Sequence, residues 1–169
     1  TTPIDGPKKI RNGKDITIVS TSIMTLEAMQ AAETLEDIGY SAEVFDLRAI
    51  RPLNLQKVYD SVAITGKLIT VDTGFKKFGI GAEIVSEVIS NCFSDLQSAP
   101  VRIGMPEHPS PSSRGFLPGL YPDAAMILKH AASVLRISGD KINQAIKNLE
   151  NKRGDLSIDV PDPKFKGPF

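Results

Sequence analysis

The 169-residue sequence has one cysteine, two histidines, no surplus of either charge and no long apolar run. A lone Cys92 excludes an internal disulfide and any multi-cysteine zinc or iron–sulfur centre, and it points to a reducing compartment. Twenty Lys and Arg against twenty Asp and Glu leave a formal net charge of zero, so the broad field that draws a protein to nucleic acid or an anionic membrane is missing. No stretch approaches the roughly 20 apolar residues of a membrane helix. The polar first residues lack the pattern of a signal peptide. The expectation is a soluble, intracellular protein that binds neither nucleic acid nor membrane. A Walker phosphate loop is also missing, since Gly66-Lys67 is followed by Leu68.

With 41% hydrophobic and 24% charged residues, 13 Gly and 12 Pro, the composition is that of an ordinary globular domain. A chain of this length hides about 70% of its unfolded surface, so its core needs neither metal nor disulfide. Four short, β-branched, apolar segments predict strands: Ile16 to Ser20, Ala42 to Leu47, Lys67 to Val71 and Pro100 to Gly104. Helical stripes lie between and after them. Met24, Ala28, Ala31, Leu35 and Ile38 recur with a 3.6-residue period up to Gly39, and Leu55, Val58, Tyr59 and Val62 repeat it after Pro52, which reads as a helix start. Ile84, Val85, Val88, Ile89 and Cys92 form a third stripe, and Ala124, Leu128, Ala131, Ala132 and Leu135 a fourth. Strand alternating with helix predicts an α/β fold whose parallel sheet is covered on both faces.

Lys8 to Arg11 followed by Asn12-Gly13 reads as a brief edge strand turning back, antiparallel to its neighbour. Lys141 to Glu150 carries Ile142, Ala145, Ile146 and Leu149 on one face, which predicts a surface-packed helix. The expected organisation is a domain over 1–136, an appended helix over 137–153 and an extended tail over 154–169 that lacks periodicity.

Few residues offer chemistry. Gly79-Ile80-Gly81-Ala82-Glu83-Ile84 looks superficially like a dinucleotide fingerprint, but its sixth position is Ile84, and a loop from Thr73 to Phe78 separates the glycines from the preceding strand. A helix N-terminus alone gives an anion roughly 0.3 to 1 kcal/mol, against roughly 8 kcal/mol for a micromolar ligand. Gly79 and Gly81 therefore read first as a structural turn that lets a helix approach a neighbouring backbone. Asp46-Leu47-Arg48-Ala49-Ile50-Arg51-Pro52 follows a strand, at the carboxyl edge where open α/β sheets bind ligands. Arg48 and Arg51 form either an anion clamp there or ion pairs with carboxylates such as Asp46 or Asp72, which would fix loops and interfaces. His108 lies just past the last core strand, also at a carboxyl edge, with no evident partner for proton transfer. His130 falls on the polar side of the fourth helix, Ser20-Thr21-Ser22 reads as helix capping, and Cys92 as a packing thiol.

Taken together and in order, Gly13 to Ser20, Asp46 to Leu53, Gly79 to Ile84 and Ala99 to Ile103 resemble the C-terminal domain of transketolase-like thiamine-diphosphate enzymes. The resemblance is greatest to the beta subunit of the 2-oxoacid dehydrogenases of the pyruvate and branched-chain type, and it runs from about Ile10 to Leu135. The chain departs from that family where Asp72-Thr73-Gly74-Phe75 replaces a glutamate and a glycine–tryptophan pair, and where the last loop carries His108 and Arg114. The resemblance implies three layers, α/β/α, around a mixed sheet of about five strands with one antiparallel edge strand. It also implies a fragment or separately encoded domain, without the pyrimidine-binding domain that precedes it in the family. Such a domain makes subunit contacts and is catalytically silent alone, and its interface or loop-fixing residues would be Asp46, Arg48, Arg51, Pro52, Gly79, Gly81 and Glu83. The implied partners are the remaining domains or subunits, a homodimer mate and the acyltransferase core. Thiamine diphosphate and magnesium would sit in the parent enzyme and none in this chain. The compartment would be the cytoplasm, or the mitochondrial matrix in a eukaryote. Two alternatives remain at this point: a parent of transketolase or synthase type acting on sugars, and a stand-alone nucleotide or small-ligand module.

Overall fold

The computed structural model describes residues 6–109, 111–113 and 119–154. In chain order the elements are β1 (Lys8–Arg11), β2 (Ile16–Ser20), α1 (Met24–Asp37), β3 (Ala42–Asp46), α2 (Gln56–Thr65), β4 (Leu68–Phe75), α3 (Ile80–Cys92), a short 3-10 turn (Phe93–Asp95), β5 (Val101–Met105), α4 (Ala124–Leu135) and α5 (Gly139–Arg153). Among the described residues the strands form one sheet in the order β1-β3-β2-β4-β5, parallel except for β1.

The period of two along each strand divides the core. Ile16, Ile18, Ala42, Val44, Ile69, Val71 and Ile103 face one side, where α1 and α4 cover them and Ile142 and Ile146 of α5 pack against those helices. Val19, Phe45 and Leu68 face the other, against Leu55, Val58 and Val62 of the α2 region and Ile84, Val88 and Cys92 of α3. Every residue of β2 and β3 is buried. This is the expected three-layer α/β/α fold with one antiparallel edge strand. Asp123 caps α4 by accepting from Met126 N at 2.7 Å, and Glu27 of α1 accepts from Ala124 N at 2.8 Å, so the first turn of α4 is fastened to α1.

Several local expectations need correction. β1 does not turn back onto β2; it pairs with β3, Lys8 opposite Asp46 and Arg11 opposite Val44. Residues 12–15 instead carry the chain past the start of β3, and Gly13 touches its backbone so closely that a Cβ would lie 2.2 Å from Ala42 C and Glu43 N. The Asn-Gly rule assumes that consecutive strands pair, and here β3 fills the gap. β4 runs on to Phe75, after a register shift that sets Phe75 against Met105. Thr73, Gly74 and Phe75 are therefore strand rather than loop. Pro52 does not open α2, which starts at Gln56; it lies in a bend on a cis peptide with Arg51. The serines and threonine after β2 do not cap α1, whose N-cap Ile23 receives no side-chain hydrogen bond. Ser20 Oγ bonds the Phe45 carbonyl at 2.9 Å instead. Beyond Gly154 the expected tail lies outside the described residues, as does Arg114.

Gly13→Ala should destabilise the domain by about 1–3 kcal/mol, because the added methyl meets backbone that cannot rotate away. Chemical denaturation of the two proteins checks this, and equal midpoints would show that the crossing can open.

Candidate functional site

The side chains singled out from the sequence come together in part at the carboxyl ends of the parallel strands. β3 ends in Asp46, 5% exposed, whose Oδ2 accepts from Arg48 Nε at 3.1 Å. Leu47 is fully buried and Ala49 is 9% exposed, so the chain must reverse between two core residues, and it does so with Arg48 in the left-handed region at φ 59. That turn returns the guanidinium to Asp46. The pairing expected for Arg48 is thus present with Asp46. Arg51 differs: it is exposed and has no ion pair among the described residues. Asp72, the other carboxylate considered, accepts instead from Gly74 N and helps to shape the end of β4.

The first turn of α3 lies directly on β4. A Cβ on Gly79 would stand 2.3 Å from the Phe75 carbonyl oxygen, and one on Gly81 would stand 2.6 Å from Thr70 Oγ1. Thr70 Oγ1 is buried without a hydrogen-bond partner and lies against the first turn of α3. The glycines accordingly serve close helix–strand packing. Among the described residues no group of three or more His, Cys, Asp or Glu could hold a metal ion.

Between the turn after β3 and the turn before α3 lies an open groove of about 770 Å³, lined by Ile50, Arg51, Leu53, Phe78, Ile80 and Glu83 together with Gly79 and Ala82. It gathers three sequence-selected residues, Arg51, Gly79 and Glu83, with apolar ones that sequence reasoning missed. Phe78 is 99% exposed and left-handed at φ 58, and Ile50 is 57% exposed. The signal available in the sequence was Phe75-Lys76-Lys77-Phe78, two aromatics around two lysines in a segment with no helical period.

His108 is not part of this groove. It is exposed, and its Nδ1 contacts the carbonyl of its own neighbour Pro109 at 3.1 Å. Next to it Glu107 pairs with Lys77. His130 is partly buried rather than on a solvated face, and burial, followed by the nearby Lys76 charge, pushes its pKa below the ordinary histidine value. Cys92 is buried in the core beneath α3, where burial raises its thiol pKa.

Comparison with known proteins identifies the fold's lineage. Residues 7–127 match the family described as transketolase, C-terminal domain. The chain belongs to the transketolase C-terminal domain family. The mitochondrial pyruvate dehydrogenase E1 component subunit beta of Pisum sativum is 46% identical over 109 residues, which is 64% of this chain and 30% of that protein. Its counterpart from Chaetomium thermophilum is 36% identical over 136 residues, 80% of this chain and 36% of that protein. The chain thus spans about a third of the length of these relatives. A solved structure described as a split gene transketolase, inactive beta4 tetramer, shares the fold with a TM-score of 0.56 at 24% identity, over 85% of this chain and 43% of that one. In this transketolase C-terminal domain Ile50, Arg51 and Leu53, which follow the Asp-Leu-Arg turn, line the groove together with Phe78 and the Gly-Ile-Gly-Ala-Glu segment.

Two outcomes follow. Gly81→Ala should be destabilising in the natural background, whereas with Thr70→Ala it should become neutral or stabilising, because Ala exceeds Gly by about 1 kcal/mol in a helix once the steric conflict is removed. A double-mutant cycle in urea reads this sign change, and a zero coupling would separate Gly81 from Thr70. His130 has a lowered folded-state pKa, so its contribution to stability is present above the ordinary value of 6.5 and is lost as pH falls below it. His130→Gln should flatten the decline of Tm between about pH 6.5 and pH 5, and an unchanged slope would assign the decline to other groups.

Proposed function

We propose that this chain is the subunit-contact domain of the beta subunit of a thiamine-diphosphate-dependent 2-oxoacid dehydrogenase, acting in the decarboxylation of a 2-oxo acid and transfer of its acyl group to a lipoyl arm. The observation that carries this reading is the 46% and 36% identity to pyruvate dehydrogenase E1 beta subunits over stretches that make up 30% and 36% of those proteins. The domain is catalytically silent alone. Its carboxyl-edge groups are engaged in shaping loops: Arg48 with Asp46, Asp72 with the Gly74 amide, Glu107 with Lys77. The glycines at α3 are closed by Thr70 and Phe75, so thiamine diphosphate and magnesium belong to the rest of the parent enzyme, and no step through them is assigned to this chain.

Asp46, Arg48, Pro52, Gly79 and Gly81 then fix the loops, and Arg51 and Glu83 are offered to a neighbouring subunit. The helix α5 and the residues after it are an addition to the domain that ends near residue 136. The partners are the remaining domains and subunits, a homodimer mate and the acyltransferase core. The relatives' mitochondrial names favour the mitochondrial matrix. No described helix is long and apolar enough to cross a membrane.

The test is assembly. A parent subunit lacking residues 7–154 should fail to assemble with its companion subunit, while the purified chain alone should show no heat of thiamine diphosphate binding with magnesium and no turnover of pyruvate. Micromolar binding by the isolated chain, or intact assembly of the truncated parent, would overturn the reading.

A further inference from the structure

Of the six asparagines in the chain, Asn12 alone is followed by glycine. The pair does not make the hairpin turn its sequence suggests, so its reactivity is left to consider. Asn12 is exposed, and among the described residues its side-chain amide has no hydrogen-bond partner. Gly13 carries no Cβ to shield its own backbone nitrogen. That nitrogen donates to Glu43 Oε1 only at 3.4 Å, longer than the usual length of about 2.9–3.0 Å, so the bond restrains it weakly.

The chain is anchored on both sides of this pair. Before it, Arg11 stands opposite Val44 of β3 and pairs with Glu36. After it, Lys14 N donates to Ser41 Oγ at 3.1 Å, Asp15 N donates to the Ser41 carbonyl at 3.0 Å, and Asp15 Oδ2 accepts from Ser41 N at 2.7 Å. Asn12 and Gly13 bridge the two anchors, with Gly13 laid against the backbone of Ala42 and Glu43. The length of main chain here is therefore fixed. Its rigidity is less complete, because β1 pairs only with β3 among the described strands and its register shifts between Lys9 and Arg11. Such an edge opens locally at less cost than the core.

We propose that Asn12 is a site of spontaneous deamidation in the folded chain, and that its isoaspartyl product releases the crossing beside β3. The Gly13 nitrogen bonds to Asn12 Cγ and gives up its proton, the Cγ–Nδ2 bond breaks, and the side-chain nitrogen takes up that proton and leaves as ammonia. Water then opens the cyclic imide at either carbonyl, giving aspartate or isoaspartate. Isoaspartate routes the main chain through the side-chain carbons and lengthens it by a methylene. The anchors at Arg11 and Lys14 and the close approach of Gly13 cannot all survive that insertion. The modification is irreversible in water alone, so it marks the age of the molecule at the edge of its sheet. It does not depend on which enzyme the domain serves.

In the experiment the full chain is held folded at mildly alkaline pH and sampled by peptide mapping, with electron-transfer fragmentation separating isoaspartate from aspartate. Asn12 should convert roughly tenfold or more faster than any other asparagine of the chain, since only its neighbour lacks a shielding side chain. Isoaspartate should exceed aspartate, and thermal unfolding should develop a second, lower transition that grows with the isoaspartate fraction. Asn12→Gln, which closes the corresponding ring far more slowly, should start at the natural Tm and keep it on ageing. Freshly prepared Asn12→Asp adds the charge without lengthening the chain, so a natural Tm there assigns the loss to the added methylene. An equally low Tm in Asn12→Asp would assign it to charge and overturn the proposed release. Conversion of Asn12 no faster than the other asparagines, or only in urea, would overturn the site itself. Conversion with the Tm unchanged would show that the crossing accommodates the longer chain, and would overturn the proposal.

Discussion

Burial of β2 on both faces is the constraint from which the rest of the domain follows. A strand with no solvent-exposed face must satisfy every polar atom within the protein. Thr17 Oγ1 accordingly lies 2.7 Å from both Ser61 Oγ and Thr65 Oγ1 of α2, and Ser20 Oγ bonds both Thr25 and the Phe45 carbonyl. These bonds set the height of α2 over the sheet and tie the carboxyl end of β2 to β3. Because β2 and β3 end in register, Ser20 opposite Asp46, the chain leaves both strands at one level, and their loops share a single rim.

Along that rim polar groups are used to hold backbone in shape. Asp46 is the last residue of a buried strand and cannot stay unpaired without a penalty of several kcal/mol. Its partner lies only two residues away, and Arg48 reaches it by adopting the left-handed region. Asp72 meets the same demand with the Gly74 amide. One bond fixes the turn after β3 and the other the end of β4, and Ile50 and Phe78 follow these points on the surface.

The sequence made the interior legible and the rim only partly so. β-branched runs at Ile16 to Ser20 and Ala42 to Leu47 can be satisfied only by double-sided burial, and the helical stripes fall on the faces that cover them. The pairing of β1 was not legible, because local turn chemistry at Asn12-Gly13 says nothing of which strand lies alongside. Nor was the extension of β4: Asp72, Thr73 and Gly74 favour turns, and only the long-range pairing of Phe75 with Met105 keeps them extended. At the site, Arg48 with Asp46 was foreseeable from proximity. Arg51 was not separable from Arg48 by residue type, and what distinguishes them is that the chain has turned between them.

Phe78 shows why the remainder resisted. Hydrophobicity predicts burial only when a residue shares the period of an element, and Phe78 sits between the end of β4 and the start of α3, where no period exists. Gly79 and Gly81 allow α3 to lie directly on β4, and Phe78 just before that approach is 99% exposed. The Gly-Ile-Gly-Ala-Glu segment, which superficially resembles a dinucleotide fingerprint, here packs the first turn of α3 on Phe75 and Thr70 of β4.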